Sequence, residues 1–175
     1  ALSCYNHIML ELGYCCINQT LRNAKPSVYC SRSLIKRTFN LLEASKRALQ
    51  NCKDLLTILQ WNEANSIKVF RISSDLFPRY TCSHCKYSLE DLRDYQEIVE
   101  VLDRCGKFAY SHNHKLSFHP GPFTTLGSPS DSAAQNALRE VEYHAFLISL
   151  IDRHQLLDIP INYHVGGSYG GDYEA

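Results

Sequence analysis

The sequence predicts an α/β chain built on a parallel sheet, and two observations carry that expectation. Four short apolar segments, at residues 8–13, 67–72, 115–118 and 159–163, are rich in Ile, Val, Phe or Leu and too short for helices. Longer helical patterns separate them, so the order is βαβαβαβ. Strands alternating with helices imply right-handed crossovers between parallel neighbours.

The elements follow in order. After the first strand, Ile35, Phe39, Leu42, Leu49, Cys52, Leu56 and Leu59 recur at a spacing of about 3.5 residues, which predicts one amphipathic helix over 33–62. After the second strand, Leu92, Ile98, Val99 and Leu102 form the inward stripe of a helix over 89–105, with Gly106 as the residue that ends it. The third helix is expected to begin at Ser128-Pro129, a cap followed by proline at the first helical position. Its expected stripe is Ala134, Ala137, Leu138, Val141, Ala145 and Ile148.

A doubly wound sheet usually carries a Gly-rich phosphate turn after its first strand, whereas this position reads Gly13-Tyr14-Cys15-Cys16-Ile17-Asn18. The other parallel architecture is the (β/α)8 TIM barrel, which needs eight strands and about 250 residues. Four parallel βα units therefore predict a partial (β/α)8 barrel forming a single domain over 1–175. A half barrel leaves two strand edges open. Self-association into a homo-oligomer, a partner chain, or a C-terminal half missing from this sequence would close it.

Composition narrows the function classes. The chain of 175 residues is 45% hydrophobic and 21% charged, which suits a globular core. No apolar run approaches the ~20 residues of a membrane span, so no membrane role is expected. The start has no basic segment leading into an apolar one, and two of the eight cysteines, Cys15 and Cys16, are adjacent. Reduced thiols and an intracellular location are the expectation. Cys82 and Cys85 form a lone C-x-x-C without the second pair a structural zinc needs. Net charge is zero, yet residues 1–55 carry eight Lys/Arg against three acids, giving +5, and the remainder is −5. That asymmetry fits a polyanion partner, although charge alone favours a solvated helix face.

In parallel α/β folds, chemistry collects where strands end. Strand three ends at His119-Pro120-Gly121 and strand four at His164-Val165-Gly166-Gly167, while His84 follows strand two in its loop. Neutral imidazoles converging on one rim suit a metal, although a single strand-end histidine is equally a hydrogen-bonded structural residue. His112 and His114 precede strand three and are expected at the surface. His7, His144 and His154 lie in no motif and are expected to be structural. Arg71 and Asp75 suggest a structural ion pair at the sheet's mouth.

The strings LGYCCINQTLR (12–22), FRISSDLFP (70–78), LSFHPGPFTTLGSP (116–129) and YHVGGSYG (163–170) resemble the UV-damage endonuclease family in order and spacing. The resemblance implies a TIM barrel and a manganese (Mn2+) cluster that hydrolyses the phosphodiester 5′ of UV photoproducts and abasic sites. It implies DNA repair, damaged double-stranded DNA as partner, and an intracellular location with access to DNA. It carries metal ligation onto His119, His164 and His84, and lesion contact onto Tyr14, Asn18, Gly166 and Gly167. Pro122-Phe123 stands where the family has a Gln followed by an aromatic residue. Phe123 keeps the wedge, and Pro122 lacks the amide. The family's carboxylate ligands come from later strands and have no counterpart here. Asp172 and Glu174 are not promoted to that role. One alternative reading is a non-catalytic damaged-DNA binding module that has lost the carboxylate half. Another is a sugar isomerase of related barrel type.

Overall fold

Residues 69–72 form the central strand of a three-stranded parallel sheet in the computed structural model, which describes residues 11–164 and 166. The strands are β1 (Gly13–Cys15), β2 (Val69–Ile72) and β3 (Lys115–Phe118), in the order β1-β2-β3. Tyr14 pairs with Phe70 and Arg71 with Ser117. Helices α1 (Gln19–Asn23), α2 (Leu41–Ala64), α3 (Tyr95–Ser111) and α4 (Asp131–Ile151) complete the βα alternation. Side chains alternate across a strand. Phe70, Ile72, Leu116 and Phe118 therefore enter the core with Leu55, Ile58 and Leu59 of α2, Ile98 and Leu102 of α3, and Leu147 of α4.

The fourth expected strand, at 159–163, is reduced to an isolated parallel bridge. Phe118 N–H donates to the Pro160 carbonyl and Asn162 N–H to the Phe118 carbonyl, both at 2.9 Å, so this segment runs beside β3 without forming a full strand. The first strand is shifted forward to Gly13–Cys15, and residues 8–10 of its expected span lie outside the described residues.

The helix expected over 33–62 starts later. Residues 36–38 form a short 3-10 turn, and α2 begins after Asn40, whose side chain accepts from Glu43 N–H at 2.9 Å. That cap satisfies an orphan donor of the first turn, and it overrides the apolar period that continues upstream. Ile35, upstream of the cap, accordingly remains 56% exposed.

The helix expected over 89–105 is a 3-10 turn at Leu89–Asp91 followed by α3. Gly106 does not end α3. It lies inside the helix, where a Cβ would meet the Ile151 carbonyl oxygen at 1.8 Å, so the glycine admits a close crossing by the end of α4. Helix α4 starts after Ser130, two residues beyond the expected cap, and Ser128 Oγ instead accepts from Ser130 N–H at 3.3 Å. Leu138 and Ala145 of its expected stripe are exposed, while Tyr143, His144, Leu147 and Ile151 join Ala137 inside. Among the described residues no helix is long and apolar enough to cross a membrane.

Candidate functional site at the C-terminal rim

The end of β3 brings two of the expected histidines together. His119 Nδ1 donates to the carbonyl oxygen of Asn162. A carbonyl only accepts, so the proton sits on Nδ1 and the Nε2 lone pair is left for a ligand. His164 is tied by a parallel bridge to Thr125, and its ring centroid is 5.1 Å from that of His119. His84 stands apart. It is exposed in the loop after β2, with Ser83 Oγ 3.1 Å from its Nδ1. The described residues hold no group of three or more His, Cys, Asp or Glu arranged for a metal, so His84 does not complete a three-ligand set with the pair. The chain's own described contribution is two imidazoles. They suit a borderline divalent cation, and a hard one needs added oxygen ligands.

A buried histidine supports the same strand end. His144 of α4 faces the Glu140 carbonyl oxygen through Nδ1 at 2.5 Å and the Ser74 hydroxyl through Nε2 at 3.0 Å. Burial pushes its pKa down, so it is neutral and accepts the Ser74 proton through Nε2. Ser74 Oγ also lies 3.3 Å from the His119 carbonyl oxygen, so α4 and the loop after β2 both reach the β3 terminus.

The tip after His119 is a four-residue turn in which Thr124 N–H donates to the Gly121 carbonyl at 2.9 Å. Pro122 and Phe123 occupy its two central positions. Proline's fixed φ suits the first of these. Phe123 projects from the turn and is 92% exposed, which no packing demand explains.

Tyr14 points to the helix-bearing face of the sheet. Its ring packs on Phe70 at 5.0 Å, and its hydroxyl donates to Asn62 Oδ1 at 2.6 Å while accepting from Asn18 Nδ2 at 2.9 Å. Asn18 Oδ1 accepts from Leu21 N–H at 3.0 Å, so Asn18 caps α1 and orients Tyr14 with the same amide. Tyr14, Asn18, Thr20, Trp61 and Ile67 line a cavity of about 190 Å³. Gly166 is exposed, and Gly167, Asp172, Glu174 and His7 lie outside the described residues.

Three expectations need correction or extension. No ion pair joins Arg71 to Asp75 among the described residues. Arg71 Nε is buried without a partner among the described residues, and burial raises the Asp75 pKa against the opposing pull of Arg79. His114 is buried, not superficial, because its Nε2 bonds Glu63 at 2.8 Å behind β3. Finally, polar residues on the buried face of α2 build the rim. Asn51 accepts from Arg32 N–H at 2.9 Å and donates to the Arg32, Asp75 and Leu76 carbonyls at 3.0–3.1 Å. Asp54 takes Tyr29 N–H at 2.9 Å and Arg32 Nη1 at 2.6 Å. Together they fasten the loop after β1 to the loop after β2. The available signal was an Asn and an Asp standing at positions of the helix's apolar stripe.

Exposed cations lie along α1 and the segment that follows it. Arg22, Lys25, Lys36 and Arg37 are exposed, and no acid stands between Leu12 and Leu42. Other basic residues of this half are paired internally, Arg32 with Asp54, Lys46 with Glu43 and Lys53 with Glu97.

Comparison with known proteins places the chain among similar sequences and folds. A UV-damage endonuclease of Schizosaccharomyces pombe is 36% identical over 171 residues, covering 94% of this chain and 27% of its own length. A putative UV-damage endonuclease of Acanthamoeba polyphaga mimivirus is 31% identical over 170 residues, covering 94% of this chain and 49% of its own. The chain thus spans between about a quarter and a half of these relatives. The fold is similar to that of a solved structure, SacUVDE, with a TM-score of 0.79 and 24% identity over 93% of this chain and 51% of that one. The sequence model of the UV-endonuclease UvdE family matches residues 10–175, and the chain belongs to that family.

Proposed function

We propose that this chain is the N-terminal part of a TIM-barrel DNA repair endonuclease that incises damaged duplex DNA in a metal-dependent reaction. The observation that carries the proposal is the pairing of His119 and His164 at the end of β3, with the His119 proton fixed on Nδ1 and Nε2 left as a donor. A divalent cation such as Mn2+, if bound there, would supply positive charge for phosphodiester hydrolysis. His119 and His164 would hold it, His84 lies apart from the pair, and carboxylates from outside the described residues would complete its shell. Phe123, presented by Pro122 on the adjoining turn, wedges into the base stack beside a lesion. Tyr14, oriented by Asn18, offers an aromatic edge to an extruded base, and Gly166 and Gly167 let the backbone approach closely. Arg22, Lys25, Lys36 and Arg37 meet phosphates. This reading carries an intracellular location with access to DNA.

A second reading, a damaged-DNA binding module without catalysis, is favoured by one observation: no third metal ligand joins the histidine pair among the described residues. Loss of the free Mn2+ electron-paramagnetic signal on adding protein tests the metal site. The first reading predicts stoichiometric uptake that His119→Ala and His164→Ala each weaken at least tenfold. Uptake unchanged in both variants refutes it. Lesion-selective duplex binding insensitive to EDTA, with no Mn2+ uptake, supports the second.

A further inference from the structure

We propose that Cys82 and Cys85 form a reversible dithiol–disulfide pair, a modification site whose reagent is a small-molecule disulfide of the oxidised-glutathione class. The nuclease reading does not use these residues, and the proposal is independent of it.

The pair sits in consecutive tight turns. Cys82 N–H donates to the Arg79 carbonyl at 3.1 Å, and Cys85 N–H donates to the Cys82 carbonyl at 3.0 Å. Arg79 adopts a left-handed φ of 60°, which turns the chain sharply into this loop. A turn closed by such a hydrogen bond holds its end Cα atoms within roughly 7 Å, and a disulfide needs about 4.4–6.8 Å.

Access is asymmetric in the way a two-step exchange requires. Cys82 is half-buried and lines a cavity of about 390 Å³ with Ser74, Asp75, Arg79 and Glu140. Cys85 is buried behind it. The outer sulfur is thus reached by a small reagent, and the inner one is held to resolve the adduct. Cys30, Cys52 and Cys105 lie in the hydrophobic core and offer no comparable entry. No third metal-ligating group joins the two thiols among the described residues.

The reaction balances without further reagents. The Cys82 sulfur, its proton passing to water, attacks one sulfur of oxidised glutathione. The S–S bond breaks and one glutathione thiolate leaves. The Cys85 sulfur then loses its proton and attacks the Cys82 sulfur, and the second glutathione thiolate leaves. Two protein thiols are oxidised and one small disulfide is reduced to two thiols.

The test is incubation of the protein with oxidised glutathione, alkylation under denaturing conditions, and peptide mapping by mass spectrometry. A peptide lacking two hydrogens, with Cys82 joined to Cys85 and restored by reduced glutathione, is the expected result. In Cys85→Ser the expected product is a glutathione adduct that stays on Cys82. Alkylation of both residues after the incubation, or a bond from either to a different cysteine, overturns the proposal. The wild-type map decides alone if the variant does not fold.

Discussion

Gly106 offers a perturbation whose sign is diagnostic. At an ordinary site inside a helix, Gly→Ala stabilises by about 1 kcal/mol, because alanine loses less backbone entropy on folding. Here the new Cβ would stand 1.8 Å from the Ile151 carbonyl oxygen and 2.8 Å from its carbon, where real contacts stay above 3.0 Å. Closing that difference (3.0 − 1.8) requires the end of α4 to retreat by about 1.2 Å, and the obstacle is backbone, which no side-chain rotation removes. Overpacking of this kind costs about 1–3 kcal/mol. Retreat also loosens Leu147 and Ile151, both in the core, and removes contacts of their own. The net expectation is a loss of about 2 kcal/mol after the helix-propensity gain. Equilibrium urea unfolding reads it as a midpoint about 1 M lower at unchanged slope, for slopes of about 1–3 kcal/mol/M. A Gly106→Ala protein as stable as the parent, or more so, would refute the close crossing of α3 and α4.

Further expectations follow from the rim. Tyr14→Phe removes the hydroxyl between Asn18 and Asn62, strands one donor and one acceptor, and lowers stability by about 1–2 kcal/mol in thermal unfolding. Asn51→Ala frees the backbone groups of Arg32, Asp75 and Leu76, so limited proteolysis is expected to cut the loop after β1 sooner than in the parent. His144 has a folded pKa below its ordinary 6.5 because of burial. Its unfolded form therefore binds the proton more readily, and its contribution is complete above that value and is lost as pH falls through the folded one. Stability measured down from pH 7 should decline, and His144→Gln should flatten that limb. Phe123→Ala leaves unfolding unchanged because the ring is exposed, yet lesion-duplex affinity falls about tenfold if one stacking contact of about 1–3 kcal/mol is lost. Equal affinity would remove the wedge.

The apolar pattern told where sheet and helices lie but not where helices begin. Residues 115–118 match β3 because their alternation is buried on one face and bounded by a polar turn on each side. The start of α2 was misread because Ile35 and Phe39 continue the apolar period upstream of Asn40, whose side-chain bond sets the helix start. Gly106 read as a terminator because a sequence does not reveal which backbone will cross a glycine. At the candidate site, expected strand-end position pointed to His119 and His164, whose rings stand side by side. The support beneath them was hidden, since Ser74, His144, Asn51 and Asp54 act across 19 to 70 positions of sequence. Asn18 looked like a ligand-facing residue, and its amide is spent on a helix cap and on Tyr14.

Nicking of UV-irradiated supercoiled plasmid by the enzyme that carries this chain as its N-terminal part, with Mn2+ or with EDTA and beside unirradiated plasmid, tests the account most directly. The account predicts relaxed circles only from irradiated plasmid with Mn2+, and none from His119→Ala or His164→Ala. Nicking that persists in EDTA, that ignores irradiation, or that survives loss of both histidines would contradict it. A folded protein that binds irradiated plasmid and never cuts it in Mn2+ would contradict the catalytic claim and leave the binding module.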